Sequence, residues 1–389
     1  MKPLKDYSFI RGVCHGPYSA GSHEELEKVL GFAKRLMINS TRFWMSEEEW
    51  KKDPEGYKAV LRDFMETCWN YGISSMPIFW NGNFIEDFQE PTDEAWALSE
   101  AYAKDIIETF GKEEYILMWD VINEPMCNDY IRHSKGGEYE KRFSELSAYV
   151  RRLCGIVRKL DPEGCLTVGH EQVRHCVSSN DLVDVISFHD YLSTRKQIED
   201  AVCEAEAFSR QFGKPILNTE TGCVGRANPY EVELEILMRH RVGWYLFNLV
   251  SEGFWGDIHG LVYPDGTIRD PAVIAALFGF FRNRTDERIR VNVNKEGHAY
   301  KAVKAVEDAL RVEETTLFMS KPKTTDEILE AAEYCVNILE AAEMVPMWNP
   351  PSARLMDYRR TPEEKRDVYE IRRFAYEMAK LVRENCMFF

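Results

Sequence analysis

Two glutamates stand where the chain is about to leave a buried run. Glu124 ends "YILMWDVINEP", in which Ile116, Leu117, Met118, Trp119, Val121 and Ile122 form a nearly continuous apolar stretch, and Glu220 closes "KPILNTE" two residues before Gly222. Pro125 has no backbone N–H, so the first run stops and turns just past its carboxylate. Two carboxylates facing each other across a cleft can hydrolyse a glycosidic bond. One protonates the leaving oxygen while the other attacks the anomeric carbon or activates water. Alone, Glu124-Pro125 reads as readily as a turn in solvent; the second acid in a matching place favours the chemical reading.

The elements that would position them recur along the chain. Short β-rich runs lie near Ser8 to Val13, Ile38 to Trp44, Ile73 to Trp80, Ile116 to Ile122, Leu166 to Gly169, Val183 to Phe188, Pro215 to Thr219 and Gly253 to Trp255. Amphipathic stretches such as "SHEELEKVLGFAKRL" and "RKQIEDAVCEAEAFSRQFG" separate them. Alternating strands and helices imply a parallel sheet, and eight such units predict an α/β chain folded as a (β/α)8 TIM barrel. Chemistry collects at the C-terminal ends of barrel strands, where strands four and seven would present Glu124 and Glu220.

From about Ala299 the texture becomes helical. Thr324 to Glu327 and Thr361 to Glu364 have capping-box spacing, Pro362 suits a first helical turn, and "VPMWNPPSARLMDYRRTP" reads as a proline-rich connector between the last two helices. The expected division is a catalytic barrel over 1–298 and a helical extension over 299–389. That extension would pack on the barrel or form a homo-oligomer contact.

Composition narrows the partners. With 49 basic and 65 acidic residues the net charge is −16, which argues against nucleic acid, whose phosphates need clustered Lys and Arg. No stretch approaches the roughly 20 apolar residues of a membrane span, and "MKPLKDYSFIRGV" lacks the apolar core of a signal peptide, so no membrane partner and a cytoplasmic location are expected. Ten cysteines are scattered without CxxC spacing, which reads as reduced thiols rather than a disulfide scaffold. No metal and no cofactor are expected.

With these residues in order, "WDVINEP" followed by "ILNTETG" resembles the retaining β-glycosidases of clan A and is most similar to glycoside hydrolase family 5, over roughly Phe9 to Arg284. The resemblance implies Glu124 as acid/base and Glu220 as nucleophile, with Glu124 kept protonated by apolar walls and the neighbouring negative charge. It implies that Arg42 bonds the nucleophile, Asn123 donates to the sugar 2-hydroxyl, His189 and Tyr191 form the strand-six pair, Tyr191 holds the nucleophile oxygen, and Trp255 is the strand-eight platform beneath the sugar. Further candidates for the substrate at the mouth are His15, Trp80, Asn81, His170 and Glu171.

Each supporting residue has a plainer reading. Arg42 can neutralise an inward acid such as Asp120, because buried charges must be paired, and both contacts can coexist. His189 can be a satisfied core histidine. Trp44 and Trp80 can be rim packing. Glu171 is the rival carboxylate. The expected substrate is a carbohydrate, a short oligosaccharide or small β-glycoside of gluco-, manno- or galacto-configuration cut by exo-action; an endo-β-glucanase or β-mannanase, and a non-catalytic carbohydrate-binding barrel, are the alternatives.

Overall fold

The computed structural model describes residues 2–17, 22–279, 281, 297–310, 323–342, 345 and 350–386. The chain divides into two compact units, Met1–Gly279 and Phe280–Phe389.

The first unit is a (β/α)8 barrel. Its strands are β1 Arg11–Cys14, β2 Ser40–Trp44, β3 Ser74–Asn81, β4 Trp119–Asn123, β5 Leu166–His170, β6 Ile186–Asp190, β7 Ile216–Thr221 and β8 Gly243–Leu246, all parallel and closed in sequence order. Closure is made by β8 against β1, with Gly12 opposite Tyr245. Every residue of β4, β5 and β6 is buried. A strand covered by core on one side and helices on the other must be apolar throughout, which is why these runs read as continuous rather than alternating. Helices α1 His23–Arg35, α2 Glu47–Lys52, α3 Pro54–Asn70, α4 Asp93–Phe110, α5 Asp129–Arg132, α6 Glu138–Leu160, α7 Arg195–Phe212, α8 Tyr230–Arg239, α9 Gly253–His259 and α10 Pro271–Leu277 complete the unit. Side-chain oxygens of Ser22, Thr92 and Thr194 cap α1, α4 and α7 by accepting otherwise unpaired first-turn N–H groups.

Seven strands lie where the sequence places them, within a few residues. The eighth does not: it is "GWYL" over Gly243–Leu246, and Gly253 to Trp255 instead opens α9.

The second unit has its own core. Helices His298–Leu310, Thr325–Ala341 and Val368–Asn385 bury Val306, Ile328, Val336, Ile371, Phe374 and Val382. The capping box at Thr324 and Glu327 is formed, with both reciprocal bonds made. The one expected at Thr361 is not: Glu363–Lys365 is a 3-10 turn behind Pro362, and the last helix is capped by Asp367. Part of the supposed connector is the helix Pro351–Arg360, with Pro351 in its first turn; residues 346–349 of that stretch lie outside the described residues, as does Arg284 at the end of the family-like stretch.

All ten thiols are free, and eight of them are buried. Among the described residues no helix is long and apolar enough to cross a membrane.

Candidate active site

Glu124 follows β4 with φ of 43°, a left-handed conformation that a non-glycine residue holds only when its surroundings impose it. Two backbone contacts impose it here. The Glu124 N–H donates to Gly169 O on β5 at 2.7 Å, and the loop after β3 presses against the turn from the other side, where the Gly82 N–H donates to Asn123 O at 2.7 Å. A Cβ on Gly82 would lie 2.5 Å from Pro125 Cα, so only glycine lets the two loops touch.

Inside the barrel mouth, Arg42 in the middle of β2 has no exposed surface and gathers three partners. Its Nε and Nη2 donate to Asp120 Oδ2 at 3.0 and 2.8 Å, Nη1 to Glu220 Oε2 at 2.9 Å, and Nη2 to Asn123 Oδ1 at 2.7 Å. Both sequence readings of this arginine therefore coexist. Room for it comes from β5, because a Cβ on Gly169 would sit 2.5 Å from Arg42 Nη2. The Gly169 N–H in turn donates to Asp120 Oδ1 at 2.9 Å.

Glu220, on β7, is held through both oxygens: Tyr191 Oη donates to Oε1 at 2.6 Å and Arg42 to Oε2. Glu124 is held likewise. His189 Nδ1 lies 2.7 Å from its Oε1, and Asn83 Nδ2 donates to its Oε2 at 2.8 Å. A carboxylate oxygen of Glu124, a ring nitrogen of His189 and a carboxylate oxygen of Glu220 all lie within 4.8 Å of one another. Three such donors could in principle bind a metal ion, but the oxygens are already engaged and Glu220 faces a permanent guanidinium cation, so the donor set does not fit one.

Electrostatics correct one expectation. Burial does push the Glu124 carboxyl up, but the hydrogen bond and charge of His189, with Asn83 and Arg42, outweigh it and hold Glu124 well below the usual carboxylate range, at about 2.

The remaining candidates scatter. Asn81 accepts from Asn123 Nδ2 at 3.2 Å and so braces the residue before Glu124. Trp80 donates to Glu47 at 2.9 Å and packs on Phe79 and Tyr102, a rim position. His15 is buried beside Phe64 of α3, and His170 is buried against Ser179 at 2.8 Å; neither lines the cavity at the mouth. Glu171 lines that cavity, but its oxygens are taken by His175 and by the Met126 N–H. Trp255 lies on α9 and is 53% exposed, so it does not end a strand. The aromatic residue directly after β8 is Phe247, packed 5.7 Å from Trp44 and 4.6 Å from His259.

Asn83 and Phe247 were missed. "WNGN" carries two asparagines around the close-approach glycine, which is the one available hint to Asn83; the run "VGWYLFNLV" is the hint to a strand ending at Phe247. A cavity of about 560 Å³ opens beside the pair, with Glu124, His189 and Tyr191 on its wall.

A family model described as Cellulase (glycosyl hydrolase family 5) matches residues 33–253, more than half of the chain. Among solved structures, an endo-1,4-beta-mannanase from Rhizomucor miehei is similar at 14% identity and a TM-score of 0.53, over 69% of this chain and 92% of that one. An exo-beta-1,4-mannosidase from Opitutaceae bacterium strain TAV5 is similar at 17% identity and 0.50, over 72% and 60%. A beta-glucuronidase from Parabacteroides merdae is similar at 12% identity and 0.51, over 71% of this chain but only 38% of that one. At these identities the likeness bears on the barrel fold. No curated protein matches the chain.

Proposed function

The chain belongs to glycosyl hydrolase family 5, and from that membership we propose that this glycoside hydrolase is a retaining β-glycosidase with Glu220 as nucleophile and Glu124 as acid and base. The observation that carries the proposal is the approach of the two carboxylates, whose oxygens come within 4.8 Å. Double displacement works with carboxyl groups about 5 to 5.5 Å apart, whereas inversion needs about 6.5 to 9.5 Å to admit a water.

Tyr191 and Arg42 hold one oxygen each of Glu220 and keep it aimed for attack on the anomeric carbon. The acid is Glu124, with His189 Nδ1 at 2.7 Å as its proton partner. As the glycosidic bond breaks, one proton passes from His189 Nδ1 through Glu124 to the leaving oxygen, leaving a glycosyl ester on Glu220, an ionised Glu124, a neutral imidazole and a free alcohol. Water then attacks the ester; its proton returns through Glu124 to His189, and the Glu220 carboxylate is released.

The cavity of about 560 Å³ falls in the range of small-ligand pockets. That supports exo-action on short oligosaccharides or small β-glycosides of gluco-, manno- or galacto-configuration.

The test is hydrolysis of 4-nitrophenyl α- and β-glycosides by wild type, Glu124→Ala and Glu220→Ala, with and without azide. The expected result is a β-selective activity lost in both variants, with azide giving an α-glycosyl azide from Glu220→Ala and a β-glycosyl azide from Glu124→Ala. An inverted first product, or activity that survives Glu220→Gln and vanishes in Glu171→Gln, overturns the assignment.

A further inference from the structure

Two arginines line the cavity beside the glutamate pair, Arg174 in the 3-10 turn after β5 and Arg226 in the turn after β7. Both are exposed, and among the described residues neither makes a hydrogen bond or ion pair to the protein. That is unusual in a chain with sixteen more acids than bases, where neighbouring arginines are engaged: Arg195 bonds Glu235 and Arg151 takes Asp181 through both nitrogens.

Arg226 is not loose. Its guanidinium lies 4.5 Å from the centroid of the Tyr191 ring, a cation–π contact, and the hydroxyl of the same ring bonds Glu220. A fixed positive charge thus stands one aromatic ring away from the nucleophile. The acids on the same wall are mostly committed elsewhere. Glu171 is bonded by His175 and the Met126 N–H, Asp200 by Lys196, and Asp190 is buried, with burial raising it to about 6. Glu204, exposed on α7, is the one left unengaged.

Guanidinium groups match carboxylates and phosphates with paired, directional hydrogen bonds, and two of them left open on one wall specify an anion more than a neutral hydroxyl. We propose that the glycoside this site takes carries a negatively charged substituent, a carboxylate or a phosphate ester, which Arg226 and Arg174 bind beside the reacting sugar. The inference rests on the retaining β-glycosidase reading and adds the class of substrate.

The experiment compares kcat/KM for 4-nitrophenyl β-D-glucoside, its 6-phosphate and 4-nitrophenyl β-D-glucuronide, with the galacto-configured set in parallel, on wild type, Arg226→Gln, Arg226→Lys and Arg174→Gln. One anionic glycoside should exceed its neutral parent by at least about tenfold in wild type, the value of one charge-assisted hydrogen bond. That preference should fall about tenfold or more in Arg226→Gln and be partly restored in Arg226→Lys; whether the phosphate or the carboxylate leads identifies the anion. A wild-type preference of one or less, or a preference that none of the three variants moves, overturns the proposal while leaving the retaining reaction intact. If no glycoside is cleaved, the reaction itself fails, and calorimetric titration with glucose 6-phosphate, glucuronate and glucose still decides: equal or absent binding of all three rejects the anion site, and binding of an anion alone, weakened in Arg226→Gln, sustains it.

Discussion

The imidazole of His189 lies 2.7 Å from Glu124 Oε1, and the same nitrogen is 3.8 Å from Glu220 Oε2. One ring therefore stands between the two carboxylates and is bonded to only one of them. The proposed nucleophile is served by Arg42 and Tyr191, and the proposed acid by His189 and Asn83, so the two glutamates are differentiated by their neighbours although both are almost fully buried.

Removing the imidazole should expose what it does. In His189→Gln the burial that raises Glu124 remains while the charge that lowers it is gone, so the carboxyl should titrate at markedly higher pH than its present value of about 2. A carbon-13 signal from the Glu124 carboxyl followed against pH reads this directly, and an unchanged midpoint would refute the pairing. In wild type the pair's stabilisation is present above the unfolded-state value near 4.5 and is lost as pH falls towards 2.

Among the described residues Arg42 is the only cation bonded to Asp120, which has no exposed surface. Arg42→Met should strand that carboxylate and cost about 3 to 5 kcal/mol of stability, besides abolishing turnover. Adding Asp120→Asn to Arg42→Met should recover part of the stability and none of the activity. Denaturant unfolding of the two variants checks this, and a single variant as stable as wild type would contradict it.

Gly82→Ala changes no group that could touch a substrate. Its new methyl group would meet Pro125 Cα at 2.5 Å and displace the turn that carries Glu124. A displacement near 1 Å at a catalytic group is worth about a hundredfold in rate, so kcat should fall by roughly that factor while the circular dichroism of the barrel is kept. A variant with wild-type kcat would mean that the loops part without moving Glu124.

His15 and His170 should make the protein acid-sensitive. Burial lowers both, His15 to about 4 and His170 to about 3, from an unfolded value of 6.5. Between 6.5 and those values the unfolded chain takes up protons that the folded one refuses, so stability falls as pH falls through that window. By pH 4 the loss should be about 3 kcal/mol for each histidine. Melting temperature against pH should flatten in His170→Gln; an unaltered slope would assign the sensitivity elsewhere.

Much of this arrangement is legible in the sequence where one strand carries its own signal. "WDVINEP" and "ILNTETG" announce buried strands ending on acids because parallel barrel strands must be apolar on both faces. The eighth strand is not legible: four residues give little periodicity, and Trp255 between Gly253 and Gly256 imitates an exposed strand end although φ of 70° at Gly253 starts a helix. Contacts across the barrel leave no local trace. Asn83 and Glu124 are 41 residues apart, His189 and Glu124 are 65 apart, and each pair meets because closing the sheet brings strand ends together. The same holds for the protonation of Glu124, which its apolar neighbours in sequence would raise and a histidine two strands away lowers.

The left-handed backbone at Glu124 also sets a trade between durability and activity. A side chain with φ of 43° costs about 1 kcal/mol relative to glycine, a cost the fold bears at the residue proposed to move the proton. Glu124→Gly and Glu124→Ala should be equally inert, yet the glycine variant should melt at the higher temperature, making it the better scaffold for trapping an uncleaved substrate in a crystal.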